Sequence, residues 1–379
     1  MSDQVVSASA PDAPAIVVEL DAYVLPQGHR VWKASAGKTH RFYRAVRDAN
    51  TIFPDIRGLE ELGDVPDDWT DEKVLKRIAD DRWERELASR ARGNQEQTTQ
   101  GVNKQDRGVL TFANRLWNEA NHGDLIIVPP DGWKEHVLIG EILTEAGSIS
   151  RVEARDGEYE GTFFGRRVKW LTSVSKTELT PDLISVLHSR AAVFTIPRNL
   201  KEEVYRHAYG NFVYDGAYTA EFRTEKERFT AEDSAVVGTW LNAMDVLRNS
   251  LRNGDPRLDA SLADLGLETL PASEAAELKI DIQSPGEIFV RTVGPFALSL
   301  MALFALSGCS AEVVDKNAVT VKLKHVGAGD HSVEVAVEKD VNAMKTALGE
   351  QRIEKSGQLV KRAENNALVS TNATLKSVP

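Results

Sequence analysis

Cysteine is nearly absent: Cys309 is the one cysteine in 379 residues. No internal disulfide can form and no multi-cysteine metal site exists. The eight histidines are scattered and none falls in HExxH or a similar ligand spacing, so the sequence points to no metal and no cofactor. Walker A, GxGxxG and GxSxG motifs are also missing, as are paired carboxylates at a recognisable catalytic spacing. Positive charge is in deficit, with 46 Lys and Arg against 57 Asp and Glu, a net charge of −11. That argues against a broad cationic face for duplex DNA, because non-specific affinity comes from Lys and Arg neutralising phosphates. A local basic groove, or a pocket for one base, stays compatible with it. The segment Met1–Pro14 has neither a basic start nor an apolar core and reads as a flexible lead-in, so the chain is expected to be cytoplasmic.

Long apolar runs are limited to Val293–Ala311, uncharged over its whole length and long enough for a marginal bilayer span. Gly294-Pro295 opens it, Ser299, Ser307 and alanines dilute it, and the chain runs on into an amphipathic stretch. A buried helix is the expectation, with no membrane partner; a membrane-tethered effector is the alternative. Leu306-Ser307-Gly308-Cys309 looks like a lipobox but lies far from any N-terminal signal.

What remains is globular in composition, 42% hydrophobic and 27% charged, and long enough for two domains. Val17–Val24 reads as a strand. Apolar residues at helical spacing mark 71–92, through Val74, Leu75, Ile78, Trp83 and Leu87, and 108–120, through Leu110, Phe112, Leu116 and Trp117. Strands follow at 124–129 and 136–142, and 144–161 reads as a polar loop. A strand at 163–171, a short helix at 181–189 and a strand at 192–196 complete a small barrel with inserted helices. The second half alternates strands and helices, with a hairpin of Val319–His325 and Val333–Glu338 and a polar, frayed tail. The scheme is a lead-in over 1–15, a reader domain over 16–199, a connector over 200–215, an α+β interaction domain over 216–350 and a tail over 351–379. The fold class is α+β throughout.

Five segments in order carry a resemblance. They are Val31-Trp32-Lys33-Ala34-Ser35-Ala36-Gly37, Gly123-Asp124-Leu125-Ile126-Ile127-Val128-Pro129, Ile139-Gly140-Glu141-Ile142, Arg167-Val168-Lys169-Trp170-Leu171 and Val193-Phe194-Thr195-Ile196. Over about residues 30–197 the chain resembles the EVE/PUA-like N-terminal domain of Mrr-type restriction and related phage-defence proteins. It departs from them in having Ile52-Phe53-Pro54-Asp55 where members carry a Gly-Trp segment. The resemblance implies a reader of a modified or unpaired base, held by aromatic stacking and a few hydrogen bonds. Trp32, Phe53 and Trp170 are the candidate pocket walls, and Ser35 and Gly37 the places where backbone meets a ligand edge. Arg166, Arg167 and Lys169 are the candidate phosphate contacts. Each has a plainer use, since a small barrel fills its core with tryptophan and strands display solvated cations.

The second half shows little chemistry. Mrr-type nucleases need an acidic residue and a Glu-x-Lys on adjacent strands to hold a metal. Glu277-Leu278-Lys279 is the nearest candidate, and Asp255, Asp259 and Asp264 lie in a turn-rich stretch. No catalytic residue is therefore assigned. Nucleic-acid or nucleotide sensing with a C-terminal module for a protein partner is the first expectation, and a divergent metal-dependent nuclease is the second.

Overall fold

The computed structural model describes residues 15–378 apart from 38–39, 55–71, 92–100, 131, 133–134, 157–158, 190, 255–260, 273–274, 282–285 and 328–329. The chain is mixed α and β with curled sheets, one of them a half-barrel. It divides into an inner unit, Gly28–Ala208, and an outer unit made of Met1–Gln27 with Tyr209–Pro379.

Strand β1 (Ala15–Val24) buries Ile16, Val18, Leu20, Ala22 and Val24 on one face. Alternation identifies it as a strand, but its partners belong to the outer unit and not to the reader domain expected from residue 16. Those partners lie hundreds of residues away, where local pattern carries no information about pairing.

The inner unit contains β2 (Val31–Ala34), α1 (Tyr43–Asp48), β3 (Thr51–Ile52), α2 (Glu72–Ala91) and α3 (Lys104–Asn114). Then come β4 (Leu125–Val128), β5 (Val137–Ile142), β6 (Ser150–Asp156), β7 (Tyr159–Val174), α4 (Pro181–Leu187), β8 (Val193–Thr195) and α5 (Arg198–Tyr209). The strand order is β3-β7-β5-β4-β2-β8, with β6 on β7. Helix α3 runs into a π-helical stretch, Arg115–Glu119, and Leu110, Phe112, Leu116 and Trp117 are all buried, as their spacing predicts. Leu87 of α2, expected inward, is exposed. Thr180 caps α4 and Pro181 starts it, where a missing N–H costs nothing. The expected polar loop over 144–161 is instead largely the β6–β7 hairpin, with Asp156 opposite Tyr159. Polar residues dominate 144–161, where Val152, paired with the buried Phe163, is the member packed against the inner core, so periodicity misses the hairpin; the ladder to the long strand β7 holds it in place.

The outer unit continues with β9 (Asn211–Tyr214), β10 (Ala217–Thr224), α6 (Ala231–Arg252), α7 (Leu262–Leu267), β11 (Glu277–Asp281) and β12 (Gly286–Val293). Helices α8 (Phe296–Leu306) and α9 (Ala311–Lys316), strand β13 (Ala318–His325) and helix α10 (Ser332–Ala367) follow, then β14 (Val369–Thr371) and β15 (Ala373–Ser377). Gly349, at φ 63°, breaks α10 into two helical pieces. The sheet order is β11-β12-β10-β9-β1-β13, and β1 is parallel to β9 and β13. Strand β9 is short and covers only Ala22–Val24 of β1 and Ala217–Thr219 of β10. β15 takes the neighbouring Val17–Leu20 and β14 takes Phe222–Thr224, so the tail expected to fray completes the sheet.

Helix α8 is the buried helix expected from the apolar run: Phe296–Phe304 and Leu306 are all buried, and Ala305 is partly so. The run is split, because Ser307 and Gly308 end α8 and Ser310 caps α9. No helix among the described residues is long and apolar enough to cross a membrane.

Val333–Glu338, expected as the second strand of a hairpin, is the start of α10. Its Val-Glu alternation fits period two, but Val333, Val337, Val341 and Met344 are the buried set and recur at helical spacing. The glutamates do specific work on the adjacent face. Val319 N–H donates to Asn342 Oδ1 at 3.0 Å, Val321 N–H to Glu338 Oε1 at 2.8 Å and Leu323 N–H to Glu334 Oε1 at 2.9 Å. Asn342 Nδ2 also donates to Val319 O. These side chains satisfy the outward N–H groups of β13, the last strand in the sheet order.

Removing one acceptor leaves a strand N–H unpaired, at a cost of about 1–3 kcal/mol. Glu338→Ala is therefore expected to lower the denaturant midpoint of the outer unit, while Glu338→Gln, which keeps the acceptor, stays near the parent. Equal midpoints for the parent and the alanine variant would show that the cap contributes nothing.

Candidate nucleic-acid interface

The five expected ligand-binding residues gather around the inner core, mostly as parts of it. Trp32 on β2 is 2% exposed and donates from Nε1 to Asp124 Oδ2 at 2.9 Å. The same carboxylate takes the N–H groups of Arg30 and Asn121, fixing β2 to the turn before β4. Phe53 is fully buried, with its ring 4.8 Å from Phe163 and 5.7 Å from Phe42. Neither residue is a pocket wall: both rings are consumed by the core, Trp32 with its polar edge already bonded.

Ser35 and Gly37 shape the turn after β2. The Lys33 ammonium donates to Ser35 Oγ at 2.6 Å, Ala191 O at 2.7 Å and Ser189 O at 3.3 Å. Burial pushes its pKa down to about 8. Gly37 has φ 78°, and a Cβ there would lie 2.7 Å from the Phe42 ring, so glycine is required on both counts.

Arg166, expected at a phosphate, is fully buried. Its Nη1 donates to the carbonyls of Leu116, Trp117 and Ala120 and its Nε to Thr144 Oγ1. Burial pulls its pKa down to about 10, although Asp124 and Glu145 oppose this. The side chain ties β7 to the end of the π-helical stretch and is not available to a ligand. On β7 it alternates with Arg167, and Val168 with Lys169; Arg167 and Lys169 are the exposed members.

Trp170 is half-buried and differs from Trp32. Its Nε1 donates to Arg47 O at 3.0 Å, which fixes the indole beside α1. It also lies against the Gly140 backbone, where an added Cβ would come within 2.7 Å of Cε3. Exposed cations lie next to the Nε1 bond on α1, Arg44 and Arg47, whereas Arg167 and Lys169 are exposed on the opposite face of β7, since Trp170 shares the face of Val168 toward Gly140. Arg44 pairs with Glu135 at 3.0 Å and Arg47 with Asp48 at 2.8 Å. Exposed pairs of this kind are worth about 0–1 kcal/mol and exchange readily for a phosphate.

Sequence reasoning missed the Arg44 and Arg47 positions, because they lie outside the quoted motifs. The spacing Arg41-x2-Arg44-x2-Arg47 along one short segment was the available signal. Trp69, Trp133 and the acidic run 58–71 fall outside the described residues, as do Asp255 and Asp259. Glu277 and Lys279 are exposed on β11, and Glu277 faces Arg291 at 3.3 Å. Asp264 caps α7 through Ser261. Among the described residues neither Glu277 nor Asp264 belongs to a cluster of side chains that could hold a metal ion. The chain matches no family model, no curated protein and no solved structure.

Lys33 generates a pH test. Its folded pKa lies below the ordinary 10.5, so between pH 8 and 10.5 the unfolded chain binds more protons, and stability rises with pH across that window. The gain is up to about 3 kcal/mol for the inner unit. Denaturant midpoints at pH 8 and pH 10 are expected to diverge for the parent and to converge in Lys33→Met; an equal change in both proteins would place the origin elsewhere.

Proposed function

We propose that the inner unit binds single-stranded nucleic acid or an unpaired, modified base, and that the outer unit is a module for a protein partner, in a phage-defence setting. The observation that carries this reading is Trp170: a partly buried indole fixed by its Nε1 to the Arg47 carbonyl, beside the helix that exposes Arg44 and Arg47. An aromatic face beside cations is what a single strand requires, since bases stack and phosphates need countercharge. The −11 net charge makes such a local cluster a departure from the rest of the chain. The ordered motifs that resemble EVE/PUA-like domains support the same reading, with Trp170 and the exposed α1 arginines in place of Trp32, Phe53 and Arg166.

Fluorescence anisotropy of a labelled single-stranded oligonucleotide with the full chain tests it. Trp170→Ala is expected to weaken binding by about 1–3 kcal/mol. Replacing Arg44 and Arg47 together by alanine is expected to flatten the log K against log salt slope by about 1.4, or about 0.7 for each phosphate contact on a single strand. Saturable binding that ignores both changes in folded protein places the contact elsewhere, and no saturable binding refutes the function.

A further inference from the structure

Three side chains that the sequence keeps apart meet in the outer unit. His325 is the last residue of β13, paired with Val24 at the end of β1. After the Gly327 turn the chain reaches His331, the residue preceding α10, and Glu334 in the first turn of that helix. The spacing is His-x5-His-x2-Glu, a pattern with no counterpart among the common ligand motifs, so the histidines look scattered in sequence. A strand end and a helix start bring them together. One nitrogen from each histidine and one Glu334 oxygen lie within 4.8 Å of one another.

The details of that cluster suit an ion better than a hydrogen-bond network. Both ring nitrogens of His325 are buried without a hydrogen-bond partner among the described residues. Buried nitrogens of this kind are rare and call for a water or an ion. His325 Nε2 stands 3.5 Å from Glu334 Oε1. That is long for a hydrogen bond, but two ligands at about 2.0–2.2 Å from one tetrahedral ion are separated by roughly 3.3–3.5 Å. The His331 and His325 ring centroids are 5.2 Å apart. His331 is largely exposed and at present bonds Glu334 Oε2 through Nδ1, so a rotation of one surface side chain turns that nitrogen to the ion. Glu334 is oriented from behind by the Leu323 N–H, the support that ligating carboxylates usually have. Asp330, whose Oδ1 accepts the Ser332 N–H at 2.9 Å, adds an acidic side chain next to His331 in sequence.

We propose that His325, His331 and Glu334 form a binding site for a borderline divalent cation of the zinc class, with three protein ligands and one position left to water. Two neutral imidazoles and a carboxylate suit Zn²⁺ or Co²⁺ better than Mg²⁺ or Ca²⁺, which favour all-oxygen shells. The ion ties the end of β13 to the first turn of α10. This site is independent of the nucleic-acid reading, which concerns the inner unit.

Full-length, tag-free protein stripped with chelator and dialysed against Zn²⁺ is expected to retain one equivalent. Its Co²⁺ form is expected to show the visible absorption of a four-coordinate ion. His331→Ala, at an exposed position where folding is not at stake, is expected to weaken Zn²⁺ binding at least tenfold, and His325→Ala likewise. Glu334→Gln keeps the acceptor for Leu323 N–H yet loses the charged ligand, and is expected to fall with them. Glu338→Gln alters the neighbouring strand-capping carboxylate and is expected to bind as the parent does. Less than one equivalent in the parent, parent-like binding in His331→Ala, or equal losses in Glu338→Gln and Glu334→Gln would each overturn the site.

Discussion

The outer unit depends on how the free edge of β13 is closed. A strand with one partner leaves alternate N–H groups without acceptors, and here Val319, Val321 and Leu323 find theirs in Asn342, Glu338 and Glu334. The match is geometric. Alternate residues of a strand are about 6.6 Å apart and residues four apart on a helix about 6.0 Å, so a helix laid antiparallel to the strand stays in register for three teeth. The same helix turns Val337, Val341 and Met344 into the core that surrounds α8. Edge closure and core formation are therefore one event: a change on one face of α10 disturbs the other.

In the inner unit three buried cations are held by neutral oxygens, while a fourth, Arg82, pairs with the buried Asp106 at 2.9 Å. Arg166 gathers the carbonyls of Leu116, Trp117 and Ala120, Lys33 those of Ser189 and Ala191, and Lys176 those of Pro130 and Gly132. Each sits near the end of a helix or loop, where carbonyls outnumber the N–H groups available to them and a positive charge is also favoured by the local dipoles. Such residues look like surface basic residues in sequence, and their role is to fasten loops to strands.

That explains which parts were legible. Helix α3, strands β2, β4 and β5 and the buried helix α8 announce themselves through apolar spacing. The β6 side of the β6–β7 hairpin does not, because Val152 is nearly alone among polar residues there, and Val333–Glu338 misleads because valine alternates with glutamate over one turn and a half. Only the continuation to Val341 and Met344 separates the two periods. At the candidate interface, strand alternation makes either the even or the odd residues of β7 the outward set, but cannot say which. The contacts of Arg166 decide that Arg167 and Lys169 face out. The Asp124 bond to Trp32 is likewise invisible before the fold is known, since the two residues are 92 positions apart.

Strand β1 has a consequence for the order in which the protein can assemble. Its ladder reaches Asn211, 190 positions after Asp21, and the ion pair beside its other edge joins Asp21 to Lys324, 303 positions apart. During synthesis, which proceeds from the N-terminal end, β1 emerges first and waits longest. The inner unit, whose strands pair among themselves, can close while β1 is still single and its apolar face uncovered. The late strands β13 and β15 then capture it from both sides. The long closure makes this step slow relative to local folding, and it leaves β1 as the segment most in need of protection on the ribosome.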